Sequence, residues 1–316
     1  MLGYFMDQAQ QLRNIIKNSN KPARPLARII TVTSGKGGVG KSNVAINLAI
    51  QFKRMGKRVI ILDADFGLAN IEIMFGTVPK HNLCDLIYQG KNIKDIITWG
   101  PEGVGFISGG SGISGMYNLS RDYLVYIIVN LAELDAIADI IIIDTGAGIS
   151  DAVMEFLVAS GEIILVTTPE PTSITDSYSL LKALNQSQRF SKEDTKVKVV
   201  SNRVSSAEEG QQLFNKLNAV VARYLKLPLT YMGAIPQDQM LSRSVMQQSP
   251  VSIQYPNAKS VKAFESIATQ LMNPTDTALI KPRGMAAFFS HIITGRKLSS
   301  LPSAGPNIIG SAPNIQ

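Results

Sequence analysis

Between an apolar run, "RIITVT", and an amphipathic one, "KSNVAINLAIQFKRMG", the chain reads "SGKGGVGKS" at residues 34–42. Nothing else in the sequence restricts the fold as tightly. Glycines let the backbone curl until successive amides converge on one centre, and a helix that follows turns its positive end toward the same centre. Gly35, Gly40, Lys41 and Ser42 stand at the spacing of a phosphate-binding loop, which requires a strand before it and a helix after it. Gly37, Gly38 and Val39 complete the amide cradle. In such a loop Lys41 reaches the terminal phosphates and the Ser42 hydroxyl ligates Mg²⁺.

The rest of the chain agrees with this start. "RVIILDAD", "VGFISGG", "ADIIIIDTGAG", "GEIILVTTPEP", "KVKVVSNRV" and "LTYMGAIP" read as further strands, with helical patterns such as "LSRDYLVYIIVNLAEL" between them. Continuous apolar strands separated by helices indicate a parallel sheet covered on both faces. The expected fold class is α/β, a doubly wound, mostly parallel sheet with helices on both faces, over residues 28–273. Residues 1–18 read as a short helix with Leu12, Ile15 and Ile16 on one side. Residues 19–27, "SNKPARPLA", read as a linker stiffened by proline. Residues 274–298 carry one more helix, and residues 299–316 hold too few apolar side chains to fold on their own.

A formal net charge of +7 fits contact with anionic lipid, nucleic acid or an acidic partner without choosing among them. Cys84 is the single cysteine, which excludes an intramolecular disulfide and a thiolate metal cluster within one chain and fits a reducing compartment. The N-terminus lacks a long apolar core of a signal peptide, and no apolar run approaches the roughly 20 residues of a membrane span. The expected location is the cytoplasm, with attachment to a membrane surface left open. The C-terminal helix bears on that question. Met285, Phe288, Phe289, Ile292 and Ile293 recur at helical spacing on one face, flanked by Lys281, Arg283, Arg296 and Lys297. This pattern suits a helix lying on anionic lipid, or alternatively one packed on the protein's own core.

The loop carries an extra lysine, Lys36, and so reads K-G-G-x-G-K-S. It resembles the deviant phosphate loop of the MinD/ParA group of ATPases. The resemblance implies ATP/ADP and Mg²⁺ as cofactors and a homodimer in the ATP-bound state, in which Lys36 crosses to the nucleotide of the other subunit. Three further segments resemble the same group in the same order. In "DADFGLAN" the resemblance gives Asp65 the role of orienting the attacking water and puts Asp63 beside the magnesium site. In "IIIIDTGAG" Asp144 would hold magnesium through water, with Gly146 and Gly148 freeing a switch. Glu170 in "VTTPEP" would reach the partner's ribose. Asn202 would hydrogen-bond the adenine edge, Arg203 would stack on it, and Pro236 to Asp238 would close the pocket. Lys36, Lys41 and Asp65 are thus the expected catalytic residues.

At the N-terminus "MDQAQQLR" resembles the D-Q-A-x-x-L-R signature of the flagellar MinD-like ATPases, known as FlhG, FleN or YlxH. Asp7, Gln8, Ala9, Leu12 and Arg13 match it. In that family the segment stimulates the GTPase FlhF, and the ATPase limits the place and number of flagella. Some members contact the flagellar switch complex or a flagellar transcription activator. The alternatives are a ParA-type partition ATPase that binds DNA non-specifically, a division-site MinD, and, for the leader alone, a helix packed on its own domain.

Overall fold

The computed structural model describes residues 26–65, 70–109, 128–273 and 284–294. Its sheet has eight strands: β1 (Arg28–Ser34), β2 (Val59–Ala64), β3 (Thr98–Trp99), β4 (Gly105–Ile107), β5 (Ile140–Ala147), β6 (Glu162–Thr167), β7 (Lys196–Val204) and β8 (Leu229–Pro236). They lie in the order β3-β4-β2-β5-β1-β6-β7-β8. Every pairing is parallel except that of β3 with β4. β3 has two residues, too short to leave a periodic signal, and it was not legible as a strand.

The isoleucines explain why β1 and β5 sit at the centre. Ile140 and Ile142 face one apolar layer with Ile30 and Val32, while Ile141 and Ile143 face the other with Ile29. β-branched side chains buried on both faces suit a parallel strand flanked by helices. The first layer is completed by the helices Lys41–Arg54 and Lys259–Leu271, the second by the helix Asp151–Ala159. A third apolar cluster joins the helices Pro171–Gln186 and Ala207–Tyr224 to β6 and β7. Chain order steps across β1 between β5 and β6, so the loops after β1, β5 and β6 meet at one end of the sheet. Open α/β sheets bind their ligands at such a point.

The C-terminal helix, Gly284–Thr294, belongs to the second layer. Met285, Phe288, Phe289 and Ile292 are at most 6% exposed. Phe156 lies 6.1 Å from Phe288, ring stacked on ring, and 6.4 Å from Phe289, edge to face. The side chains expected on lipid are therefore covered by the protein's own core here, because Phe156 and the isoleucines of the sheet offer them an apolar bed. Ile293 lies in the same helix, with its side chain outside the described set. Ala27, expected in the linker, is fully buried in the same layer. The leader (Asp7, Gln8, Ala9, Leu12, Arg13), Lys281, Arg283, Arg296, Lys297 and residues 299–316 lie outside the described residues. Among the described residues no helix is long and apolar enough to cross a membrane.

Candidate nucleotide site

β1 delivers the loop and the helix Lys41–Arg54 receives it. Gly40, with φ +93°, is the N-cap of that helix, and neither a capping side chain nor an acid occupies the first turn. The helix amides and their partial positive charge are thus left to face an anion. At Gly37 and Gly38 the space beside the backbone is open, whereas a Cβ at Gly35 would collide with the backbone of Asp176 and Ser177. The loop therefore rests on the helix Pro171–Gln186 on one side and stays open on the other. The Ser34 hydroxyl donates to the carbonyl of Lys36 at 2.8 Å and fixes the loop's first turn.

The two loop lysines have different surroundings. Lys41 is buried, its Nζ 3.2 Å from Asp144 Oδ1 and 4.0 Å from Asp65 Oδ2. Lys36 lies on the rim, donating to Glu170 Oε2 at 2.7 Å and to Thr172 Oγ1 at 3.0 Å. The Lys36 ammonium holds the Glu170 carboxyl below the usual carboxylate range.

Parallel pairing sets Asp63 of β2 beside Asp144 of β5. Asp63 accepts from the backbone N–H of Asp65 at 3.1 Å and of Ile71 at 3.4 Å, closing the turn that carries Asp65. Burial and then the neighbouring Asp144 push Asp63 up to about 7. Burial also raises Asp144, against the pull of Lys41 and Ser42. Asp144 Oδ2 is buried without a hydrogen-bond partner. An orphaned carboxylate oxygen, a second acid and the Ser42 hydroxyl form an all-oxygen donor set, which fits Mg²⁺. Among the described residues no group of three His, Cys, Asp or Glu side chains is placed to hold a metal ion without further ligands.

The segments expected around the base lie beside the loop and at the end of β8. Asn202 donates from Nδ2 to the carbonyl of Val39 at 2.7 Å, so it touches the loop. Arg203 is exposed at the site's edge with φ +56°. Pro236 ends β8. Asp238 is spent on scaffolding. Its Oδ1 accepts from Met240 N at 2.9 Å, and its Oδ2 accepts from Ser260 N at 3.0 Å and Ser260 Oγ at 2.8 Å. Burial opposes its ionisation, but these bonds outweigh burial and hold it below the usual range. Sequence reasoning missed Ser34, Thr172 and Asn70, whose Nδ2 donates to Asp65 Oδ2 at 3.3 Å. Ser34 and Asn70 each stand in the same quoted motif as their partner, Lys36 and Asp65, whereas Thr172 pairs with a lysine 136 positions away.

Residues 30–251 match the model of the CobQ/CobB/MinD/ParA nucleotide-binding domain family. The antiactivator FleN of Pseudomonas aeruginosa is 38% identical over 83% of this chain and 91% of its own length. The flagellum site-determining protein YlxH of Helicobacter pylori is 31% identical over 91% of this chain and 98% of its own. The fold is shared with MinD of Pyrococcus horikoshii in complex with Mg-ADP, at a TM-score of 0.62 and 23% identity, covering 80% of this chain and 98% of that one. A ParA-family ATPase of Chlorobium tepidum matches at a TM-score of 0.63 and 20% identity, over 78% and 99% of the two chains. With its phosphate loop, paired lysines and converging aspartates, the chain belongs to the flagellar MinD-like ATPases of the CobQ/CobB/MinD/ParA nucleotide-binding family.

Proposed function

We propose that this chain is an ATP-driven switch that dimerises on ATP, associates with the membrane in that state and regulates the number and placement of flagella. The flagellar part rests on the relatives, one an antiactivator and one a flagellum site-determining protein. The switch part rests on one observation, the different addresses of the two loop lysines. Lys41 is enclosed with the acids, while Lys36 stands on the rim with its side chain 38% exposed beside Glu170 at 52%. An ion pair this exposed is screened by solvent and contributes little, so both groups exchange partners readily. In a dimer each would pass to the other subunit's nucleotide, and ATP would act by selecting the dimeric state.

The chemistry asks little beyond placement. Loop amides and Lys41 hold the phosphates. Ser42, Asp63 and Asp144 would hold Mg²⁺, which neutralises phosphate charge when bound. Asp65, steadied by Asn70, orients the attacking water. Lys36 from the second subunit completes the charge balance, so turnover waits for the dimer.

The resemblance of the leader supports a direct partner. Asp7, Gln8, Ala9, Leu12 and Arg13 would stimulate the flagellar GTPase FlhF, with flagellar switch proteins or a flagellar transcription activator as further partners. DNA is not a partner in this reading. A peptide of residues 1–23 should accelerate GTP hydrolysis by the cognate GTPase; no acceleration of an active GTPase would remove the assignment.

The membrane part needs the C-terminal helix to leave its bed. Full burial of an apolar side chain is worth about 1.5–3 kcal/mol whether the acceptor is core or lipid, so a face that docks well can also insert. One copy binds lipid weakly, and two copies on a dimer gain from effective concentration. The protein would thus be cytoplasmic without ATP and peripheral on the inner face of the membrane with it. Deleting residues 282–298 should abolish ATP-dependent sedimentation with anionic liposomes. Undiminished sedimentation would refute this part.

A further inference from the structure

β7 ends irregularly. Its pairing with β8 shifts register between Asn202 and Val204, and Arg203 between them has φ +56°. A side chain in that region costs about 1–2 kcal/mol. The distortion has a visible product. The N–H of Arg203 donates to Asn202 Oδ1 at 2.9 Å, and Asn202 Nδ2 donates to the carbonyl of Val39, 163 residues away in the phosphate loop. Asn202 is 5% exposed. Its amide orientation is fixed by these partners, because a carbonyl must face an N–H on one side and an amino group must face a carbonyl on the other. Gly40 follows Val39, and a Cβ there would collide with Asn202 Nδ2. Gly40 is needed both for its left-handed φ and to admit the amide.

We infer that Asn202 is a positioning residue of the phosphate loop. The peptide joining Val39 to Gly40 is planar and trans, so its C=O and N–H point in opposite directions. Pinning the carbonyl onto Asn202 turns the Gly40 N–H the other way, into the cradle. This role needs no base in the site. It extends the resemblance-based reading, in which Asn202 contacts only adenine. After its two bonds the amide retains one hydrogen and one lone pair, the donor–acceptor couple that matches an adenine edge. A base seated there is thereby felt at the phosphates.

The test uses the full chain and its Asn202→Asp and Asn202→Ala variants, titrated calorimetrically with Mg·ATP and with Mg·tripolyphosphate, which has phosphates and no base. Loss of one such bond should weaken both ligands by about five- to tenfold in each variant. Hydrogen exchange over residues 35–42 of the ligand-free variants should rise, while exchange over residues 196–201 of β7 stays unchanged. Weaker ATP binding with unchanged tripolyphosphate binding would restrict Asn202 to the base and overturn the inference. A lower melting temperature with both affinities intact would assign it to the scaffold and overturn it equally. Failure of the nucleotide reading itself would look different, because the wild type would then not bind ATP.

Discussion

Asp65 shows how much of the site single residues decide. Asn70 holds one of its oxygens, Lys41 lies 4.0 Å from that same oxygen, and its backbone N–H is tied to Asp63. A carboxylate so fixed can orient a water, and loss of such a group commonly costs about 10²–10⁴ in rate. Asp65→Ala should bind ATP and dimerise, while phosphate release falls by roughly 10² or more. Normal turnover in that variant would remove Asp65 from catalysis. The loop residues were legible in the sequence because their spacing is local and chemically restrictive. Lys36–Glu170, Lys36–Thr172 and Asn202–Val39 were not, because each joins residues more than 130 positions apart. Asp238 also has a role with no sequence signal, since it caps one helix and tethers another.

At the scale of elements, the C-terminal helix is held at both ends by charges that suit its dipole. Both oxygens of Asp135 accept from Met285 N at 3.0 Å at its start. Near its end Arg189 donates to the carbonyl of His291 at 2.5 Å, and Arg189 is itself tied to Glu155 at 2.8 Å. Neither clamp has a local sequence signal, and the amphipathic pattern alone suits core and lipid equally. Gly284 sits at φ +65°, where a Cβ would lie 2.6 Å from Asp135 Oδ2 and 3.1 Å from Leu26. Gly284→Ala should therefore loosen docking by about 1–2 kcal/mol from backbone strain alone, and raise liposome binding in the absence of ATP. Unchanged binding would mean that docking does not gate lipid.

The same clamp gives the helix a pH dependence. Burial pushes Asp135 up to about 6, while bonds from Met285 and Ala27 oppose it. The docked state thus takes up a proton more readily than a solvated aspartate does. Its contribution is most favourable below the ordinary aspartate pKa and declines as pH rises through about 6. Amide exchange in residues 284–294, corrected for intrinsic rates, should be slower at pH 5 than at pH 7. Faster exchange at pH 5 would contradict the sign.

The whole molecule separates a tied floor from the nucleotide site. At the starts of the strands Glu162, fully buried, pairs with Arg28 at 2.7 Å and Lys198 at 3.0 Å, and Arg28 also donates to the carbonyl of Leu271. That cluster ties β1, β6, β7 and the helix Lys259–Leu271 together. The nucleotide-site residues lie at the other end, in the last residues of the strands and in the loops and helix start that follow them. The parallel sheet was legible because four successive isoleucines and their flanking strands admit few other arrangements. The expectation of dimerisation rests only on Lys36, and it is the claim on which the switch depends. Light scattering of the full chain and its Lys36→Ala variant, with Mg²⁺ and ATP, tests it most directly. The wild type should move from monomer to dimer mass on ATP, and Lys36→Ala should bind ATP yet stay monomeric. A Lys36→Ala chain that dimerises on ATP as the wild type does would contradict the account.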